Sequence, residues 1–220
     1  EYFIDSMRKM PNIDMYTFTL PGHEHDKVSK VKYKDWIKKS DQELKKILRK
    51  YRKVTIVAHS MGTLIASMLA SHYKQIEKLV LISPAFIFGN FEQNREDLKK
   101  IIHKDVDLEL GTGFEGSFTK FKEIPFSVWA EYRKMAKKSI KYIPRIKCPT
   151  LILYGNNDNL ISKKSVLYVY DNLKCQKDIV FIDRVRHQVF KSLKRDIITK
   201  YIYRFITFNT LYQISKKKVM

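Results

Sequence analysis

The sequence predicts an α/β fold, a mostly parallel sheet with helices on both faces. Two observations carry that expectation: short apolar runs of strand length recur along the chain, and segments with apolar residues at helical spacing lie between them. A third sets the scale. The chain has 220 residues, 44% of them hydrophobic and 13% aromatic, which suits one domain with a sizeable core and argues against disorder.

The elements follow in order. Met15 to Leu20 is the first nominated strand, followed by Val54 to Ala58, Leu79 to Ile82, Leu151 to Tyr154 and Ile179 to Ile182; each is dominated by β-branched, aromatic or leucine side chains. Between the first two, Tyr33, Trp36, Ile37, Leu44, Ile47, Leu48 and Tyr51 mark an amphipathic helix. Met61, Leu64, Ile65, Met68, Leu69 and Tyr73 mark another, which begins almost where the second strand ends, so that joint is tight. A last helix is expected through Ile197, Ile198, Tyr201, Ile202, Phe205 and Ile206, its apolar stripe turned to the sheet.

The stretch from Phe86 to Tyr142 breaks this rhythm. It is rich in charge, holds Gly111, Gly113 and Gly116 within six residues, and offers no convincing strand. Residues 1–85 and 143–220 therefore read as the core, and 86–142 as an inserted lid, or cap, with helical pieces around Asn94 to His103 and Phe126 to Lys138. Such a lid would cover the carboxyl edge of the sheet, where open α/β folds place their ligands. Phe114, Phe118, Phe126 and Trp129 either line an acyl pocket beneath it or form its own small core.

The net charge of +20 favours anionic partners in general. The 33 lysines against 10 arginines are scattered over nearly every segment, as a compositional bias would leave them, so no specific nucleic acid is expected. Weak contact with an anionic membrane surface is the remaining partner, and the run Lys216 to Lys218 reads as a solvated tail. No membrane span and no signal-peptide pattern is evident, which makes a cytoplasmic location the expectation. Cys148 and Cys175 lie outside any CxxC or metal spacing and read as two reduced thiols.

The chemistry-bearing run is Val54-Thr-Ile-Val-Ala-His-Ser-Met-Gly-Thr63, a strand that turns at once into a helix. A nucleophile elbow, G-x-S-x-G, needs small residues two before and two after the serine so that a sharp turn lifts the hydroxyl above the sheet. Gly62 keeps the second of these, and Ala58 takes the place of the first. A serine hydroxyl needs a base within hydrogen-bond reach and a third group to orient that base. Both come later, each just past a strand: Asp158 ends Leu151-Ile-Leu-Tyr-Gly-Asn-Asn-Asp158, and His187 ends Ile179-Val-Phe-Ile-Asp-Arg-Val-Arg-His187. Taken singly, Ser60 also fits a helix start, Asp158 a turn and His187 a surface position; three correct types in three correct places argue otherwise. Asp183 is the fallback acid, while Asp171 and Asp178 read as surface turn residues. His23 and His25 could be metal ligands, yet no third ligand has the spacing for it, and no metal is expected. His59 is expected to pack beside the nucleophile, and His72 and His103 to occupy ordinary helix positions.

With these residues in place, the sequence resembles the small bacterial carboxylesterases and monoacylglycerol lipases of the α/β-hydrolase superfamily. Leu20-Pro21-Gly22-His23 is similar to the family's loop after an early strand, Ile146 to Asp158 to the segment carrying its acid, and Phe118 to Lys138, more loosely, to its cap helices. The resemblance implies an α/β-hydrolase fold in which Ser60 is the nucleophile, His187 the general base and acid, Asp158 the residue that orients His187, and the Met61 backbone N–H one oxyanion-hole donor. Two departures stand out. Arg186 occupies the place of the usual glycine before the histidine, and the strand and loop that ordinarily bring a second oxyanion-hole donor are expected upstream of residue 1, so the first strands of the fold look missing. The implied reaction is cleavage of a carboxylic ester, either a short or medium acyl ester or a monoacylglycerol, through an acyl-enzyme and without a cofactor. A thioesterase or amidase on the same residues, or a non-catalytic basic binding protein of the same fold, are the alternatives. A haloalkane dehalogenase would carry aspartate where Ser60 stands.

Overall fold

A computed structural model describes residues 1–23, 30–87 and 125–208. Four of the five nominated strands form one sheet: β1 (Val54–His59), β2 (Ile76–Ile82), β3 (Thr150–Gly155) and β4 (Lys177–Ile182), all parallel and ordered β1-β2-β3-β4. Each runs one to three residues beyond an expected end, because main-chain pairing continues past the apolar run that announces it. All six residues of β3 are buried, as a central strand covered on both faces requires.

Among the described residues six α-helices accompany the strands: α1 (Tyr2–Arg8), α2 (Tyr33–Leu48), α3 (Gly62–His72), α4 (Phe126–Ser139), α5 (Lys163–Asn172) and α6 (Arg195–Thr207). On one face of the sheet, α2 to α5 build a continuous apolar cluster that includes Trp36, Leu44, Leu64, Met135, Val166 and Val169. Val128, Tyr132, Met135 and Ala136 of α4 join this same cluster. On the opposite face, Phe3 and Met7 of α1 and Ile198, Ile202 and Phe205 of α6 cover Val80, Ile82, Leu151 and Leu153. α5 escaped the sequence reading because its Val-Leu-Tyr-Val-Tyr run has strand-like composition; Ser162 starts it as a helix by accepting the Ser165 N–H. Ile197, assigned to the buried stripe of α6, is instead 50% exposed.

Met15 to Leu20 is the one nominated strand that is not a strand. Tyr16 and Phe18 point outward, and side-chain bonds tie its neighbourhood to α2 and the turn after it: Trp36 Nε1 donates to the Pro21 carbonyl (3.0 Å) and Tyr51 Oη to Asp14 (2.7 Å). Ile13 and Met15 touch the cluster on one face and Leu20 the cluster on the other, so the segment passes around the β1 side of the sheet without pairing.

Lys78 fixes the direction of α6. Its ammonium, in the first half of β2, donates to the carbonyls of Phe205 (3.1 Å), Ile206 (2.6 Å) and Phe208 (3.4 Å), the unpaired end of the helix. The C-terminus of α6 is therefore held at the amino-terminal edge of the sheet. Cys148 and Cys175 are free thiols, and burial pushes the Cys148 thiol up to about 12. Among the described residues no helix is long and apolar enough to cross a membrane.

Candidate active site

At the end of β1 the backbone turns sharply. Ser60 adopts φ 53°, left-handed for a residue with a side chain, while its N–H still donates to the Ile82 carbonyl of β2 (2.9 Å). The next turn is already α3: Thr63 N–H (3.0 Å) and Thr63 Oγ1 (2.6 Å) both donate to the Ser60 carbonyl. Small residues are needed where the strand and helix cross. A Cβ on Gly62 would lie 3.8 Å from that of Ala58, an ordinary contact, so alanine fits where the elbow pattern has its first glycine. Among the described residues the Met61 N–H has no main-chain partner, as the first N–H groups of a helix do not.

Ser60 Oγ lies 3.0 Å from His187 Nε2, and His187 Nδ1 lies 2.9 Å from Asp158 Oδ2. Residues 127 and 29 positions apart are thus joined in one hydrogen-bonded line at the carboxyl edge of the sheet. The Asp158 side chain is fully buried and that of His187 nearly so. Burial pushes the Asp158 carboxyl up; the hydrogen bond and electrostatic attraction of the His187 ring, the Ile161 N–H and the Ser83 hydroxyl outweigh it and hold the acid ionised below its usual range. Its second oxygen accepts from Leu160 N–H and Ile161 N–H, both at 2.9 Å, so the carboxylate cannot swing. A carboxylate at Nδ1 requires a proton there, which leaves Nε2 free to accept from Ser60. Asp183, the fallback acid, is exposed and pairs with Arg184 (3.6 Å).

The loop carrying His187 turns at one left-handed residue and rests on one glycine. Arg186 does not need glycine's freedom, because the left-handed residue of this loop is Arg184 (φ 57°). Gly155 has no substitute. A Cβ there would sit 2.2 Å from the Val185 carbonyl oxygen, since the loop carrying His187 rests directly on the end of β3 and Val185 O accepts the Asn157 N–H (3.0 Å).

His59, expected only to pack, makes a specific contact. Its Nε2 lies 2.9 Å from the His187 carbonyl and the two rings are 4.7 Å apart. Burial, reinforced by His187, lowers its pKa to about 4, so it is neutral at physiological pH and its Nε2–H donates to that carbonyl. The sequence holds a signal for this, a polar ring beside the nucleophile, but no spacing rule identifies the partner. Ser83 was also missed. It is fully buried at φ 47°, its Oγ has no partner of ordinary geometry, and it lies at the end of β2 near Asp158.

The other expected site residues are divided. Trp129 packs edge-on against Tyr132 (5.9 Å), whose hydroxyl donates to the Ala85 carbonyl just beyond β2. Phe126 opens α4. Phe114 and Phe118 lie outside the described residues, as do Asn94 to His103 and the possible ligand His25. Among the described residues no group of three or more histidine, cysteine or acidic side chains could hold a metal ion.

A family model for the alpha/beta hydrolase fold matches residues 13–123. The monoglyceride lipase homolog of monkeypox virus is 22% identical over 157 residues, 63% of this chain and 56% of that protein. A Mycoplasma pneumoniae protein named as an esterase/lipase is 28% identical over 198 residues, 78% of this chain and 71% of that one. The chain thus spans little more than half the length of the viral relative. Among solved structures, a metagenome-derived lipolytic enzyme superposes with a TM-score of 0.68 at 18% identity, covering 85% of this chain and 79% of its own. The monoacylglycerol lipase of Paleococcus ferrophilus gives 0.59 at 18% identity, covering 80% and 75%. At such identities the structures speak for the fold, and the family match covers half the chain. A parallel sheet with its elbow serine, and a family model spanning that elbow, give one conclusion: the chain belongs to the α/β-hydrolase fold family.

Proposed function

We propose that the chain is a serine hydrolase that cleaves a carboxylic ester through an acyl-enzyme on Ser60, with a short or medium acyl ester or a monoacylglycerol as substrate. The observation that carries this reading is the unbroken line from Ser60 Oγ through His187 to a buried, ionised Asp158. As Ser60 Oγ bonds to the ester carbonyl carbon, His187 Nε2 takes its proton; Asp158 stabilises the imidazolium across Nδ1. The Met61 N–H donates to the carbonyl oxygen as charge gathers on it. His187 returns the proton to the departing alcohol, the carbon–oxygen bond breaks and the acyl group stays on Ser60. Water then attacks the acyl-enzyme with His187 again as base, releasing the acid and restoring the serine. Ester substrates are favoured over thioesters and amides by the lipase and esterase names among the relatives.

The test is covalent labelling with a fluorophosphonate probe beside hydrolysis of a p-nitrophenyl ester series of rising acyl length. Labelling and hydrolysis that vanish together in Ser60→Ala are expected, and the chain-length optimum names the acyl class. A folded protein that neither labels nor turns over any ester would overturn the reading.

A further inference from the structure

Just past His187 the surface combines two features. Leu193 is fully exposed, at 104% of its reference area, and Ile197, one turn on, is 50% exposed. Leu193 stands between Lys191 and the pair Lys194 and Arg195. Between residues 183 and 204 there are seven lysines and arginines against two aspartates, and Lys191, Arg195, Lys200 and Arg204 are exposed. Arg195 is braced over the Tyr2 ring at 4.2 Å, and the Phe3 ring stacks on Phe190 at 4.4 Å, so α1 stiffens the base of this patch.

Its location follows from Lys78. With the C-terminus of α6 pinned to the amino-terminal edge of the sheet, the helix runs back against the strands, and its N-terminus and Leu193 lie at the carboxyl edge. Ser60, Asp158 and His187 occupy that same edge. A bare leucine has no folding reason to face water, and one such residue is ordinary. A leucine tip with a second apolar side chain one turn away, ringed by lysine and arginine, is the pattern that gains from an anionic lipid interface: the tip enters the headgroup boundary while the cations meet lipid phosphates and carboxylates.

We propose that the Leu193 tip and its ring, Lys191, Lys194, Arg195 and Lys200, dock the protein on an anionic phospholipid surface and turn the Ser60 edge of the sheet toward it. An ester partitioned in that lipid would then reach Ser60 from the docked side. The purpose assigned to docking rests on the serine-hydrolase reading; the docking itself does not.

The test is co-sedimentation with vesicles of phosphatidylcholine alone and of phosphatidylcholine mixed with phosphatidylserine, over a salt series. Wild type is expected to bind the mixed vesicles, with affinity falling steeply as salt rises. Leu193→Asp should weaken binding about tenfold or more, as loss of a buried leucine implies, and Lys191→Glu with Lys194→Glu by roughly fivefold per side chain or more. Hydrolysis of a soluble short-chain ester should be unchanged in all of them. The control is Lys34→Glu with Lys38→Glu, two exposed positions on α2, across the sheet from α6. Equal loss from that control would mean that net charge alone binds lipid, and would overturn the proposal. So would undiminished binding by Leu193→Asp, or binding that heparin abolishes in wild type and Leu193→Asp alike, which would assign the basic ring to a soluble polyanion. Vesicle binding with the expected variant pattern but no ester hydrolysis would leave docking standing and remove only the hydrolase reading.

Discussion

Gly155→Ala puts a methyl group where the structure has no room for one. The new Cβ would lie 2.2 Å from the Val185 oxygen, while ordinary contact begins at 3.4 Å, so the loop must withdraw by about 1.2 Å. The obstacle is backbone, which cannot rotate aside as a side-chain tip would. Withdrawal weakens the Asn157 N–H to Val185 O bond, at about 1 kcal/mol, and strains a packed loop, at roughly 1 to 3 kcal/mol. A total of about 2 to 4 kcal/mol lowers the melting temperature by roughly 5 to 15 °C for a chain of this size. The larger effect is on chemistry. His187 is two residues beyond Val185 and is set at 3.0 Å from Ser60 and 2.9 Å from Asp158. A shift near 1 Å costs about a hundredfold in turnover. Ester hydrolysis and the rate of fluorophosphonate labelling should both fall by about that factor while circular dichroism remains native. Wild-type rates with wild-type melting would show that the loop yields freely and that Gly155 does not set the position of His187.

Asp158→Asn keeps the shape of the site but offers the wrong partner to His187 Nδ1, and kcat should fall by about four orders of magnitude in steady-state assays; a loss under tenfold would mean that another group orients the histidine. His59→Phe removes the donor to the His187 carbonyl, so kcat should drop about tenfold with KM little changed. The same variant tests acid stability. The folded pKa of His59, about 4, lies below its ordinary 6.5, so its contribution is whole above 6.5 and is lost as pH falls toward 4. At pH 5 that loss is about 1 to 2 kcal/mol, allowing for the partly uncovered edge strand on which it sits; urea denaturation at pH 7.5 and pH 5 should show it in wild type and not in the variant. Lys78→Met leaves three carbonyls at the end of α6, those of Phe205, Ile206 and the capping Phe208, without their donor, and melting should fall by an amount equivalent to about 1 to 3 kcal/mol with ester hydrolysis unchanged. Unchanged melting would mean that packing alone holds the helix end.

How far the site can be read from sequence depends on the residue. Ser60 sits in a local pattern, because an elbow is a strand, a turn and a helix in consecutive residues. Asp158 and His187 are legible only by order, each just past a strand, and the sequence cannot say that the ends of β3 and β4 meet β1 at hydrogen-bond distance. Met15 to Leu20 misled for a related reason: β-branched, aromatic and leucine content describes a segment's side chains, while a strand exists only if a neighbour supplies its ladder. The roles of His59, Ser83 and Gly155 were out of reach, since each depends on a contact with a chain segment 75 residues away or, for Gly155 and His59, 30 and 128.

By itself the sequence determined the α/β class, four strands, three of the helices that cover them and the position of the elbow serine, because periodicity and elbow geometry are properties of neighbouring residues. Tertiary structure alone decided which acid meets His187, why Ala58 suffices where glycine is usual, why Gly155 does not tolerate a side chain, and which end of α6 shares an edge with Ser60. Those are facts about distances between segments remote in the chain, and they are set by how the sheet aligns its strands and by which helix end Lys78 holds.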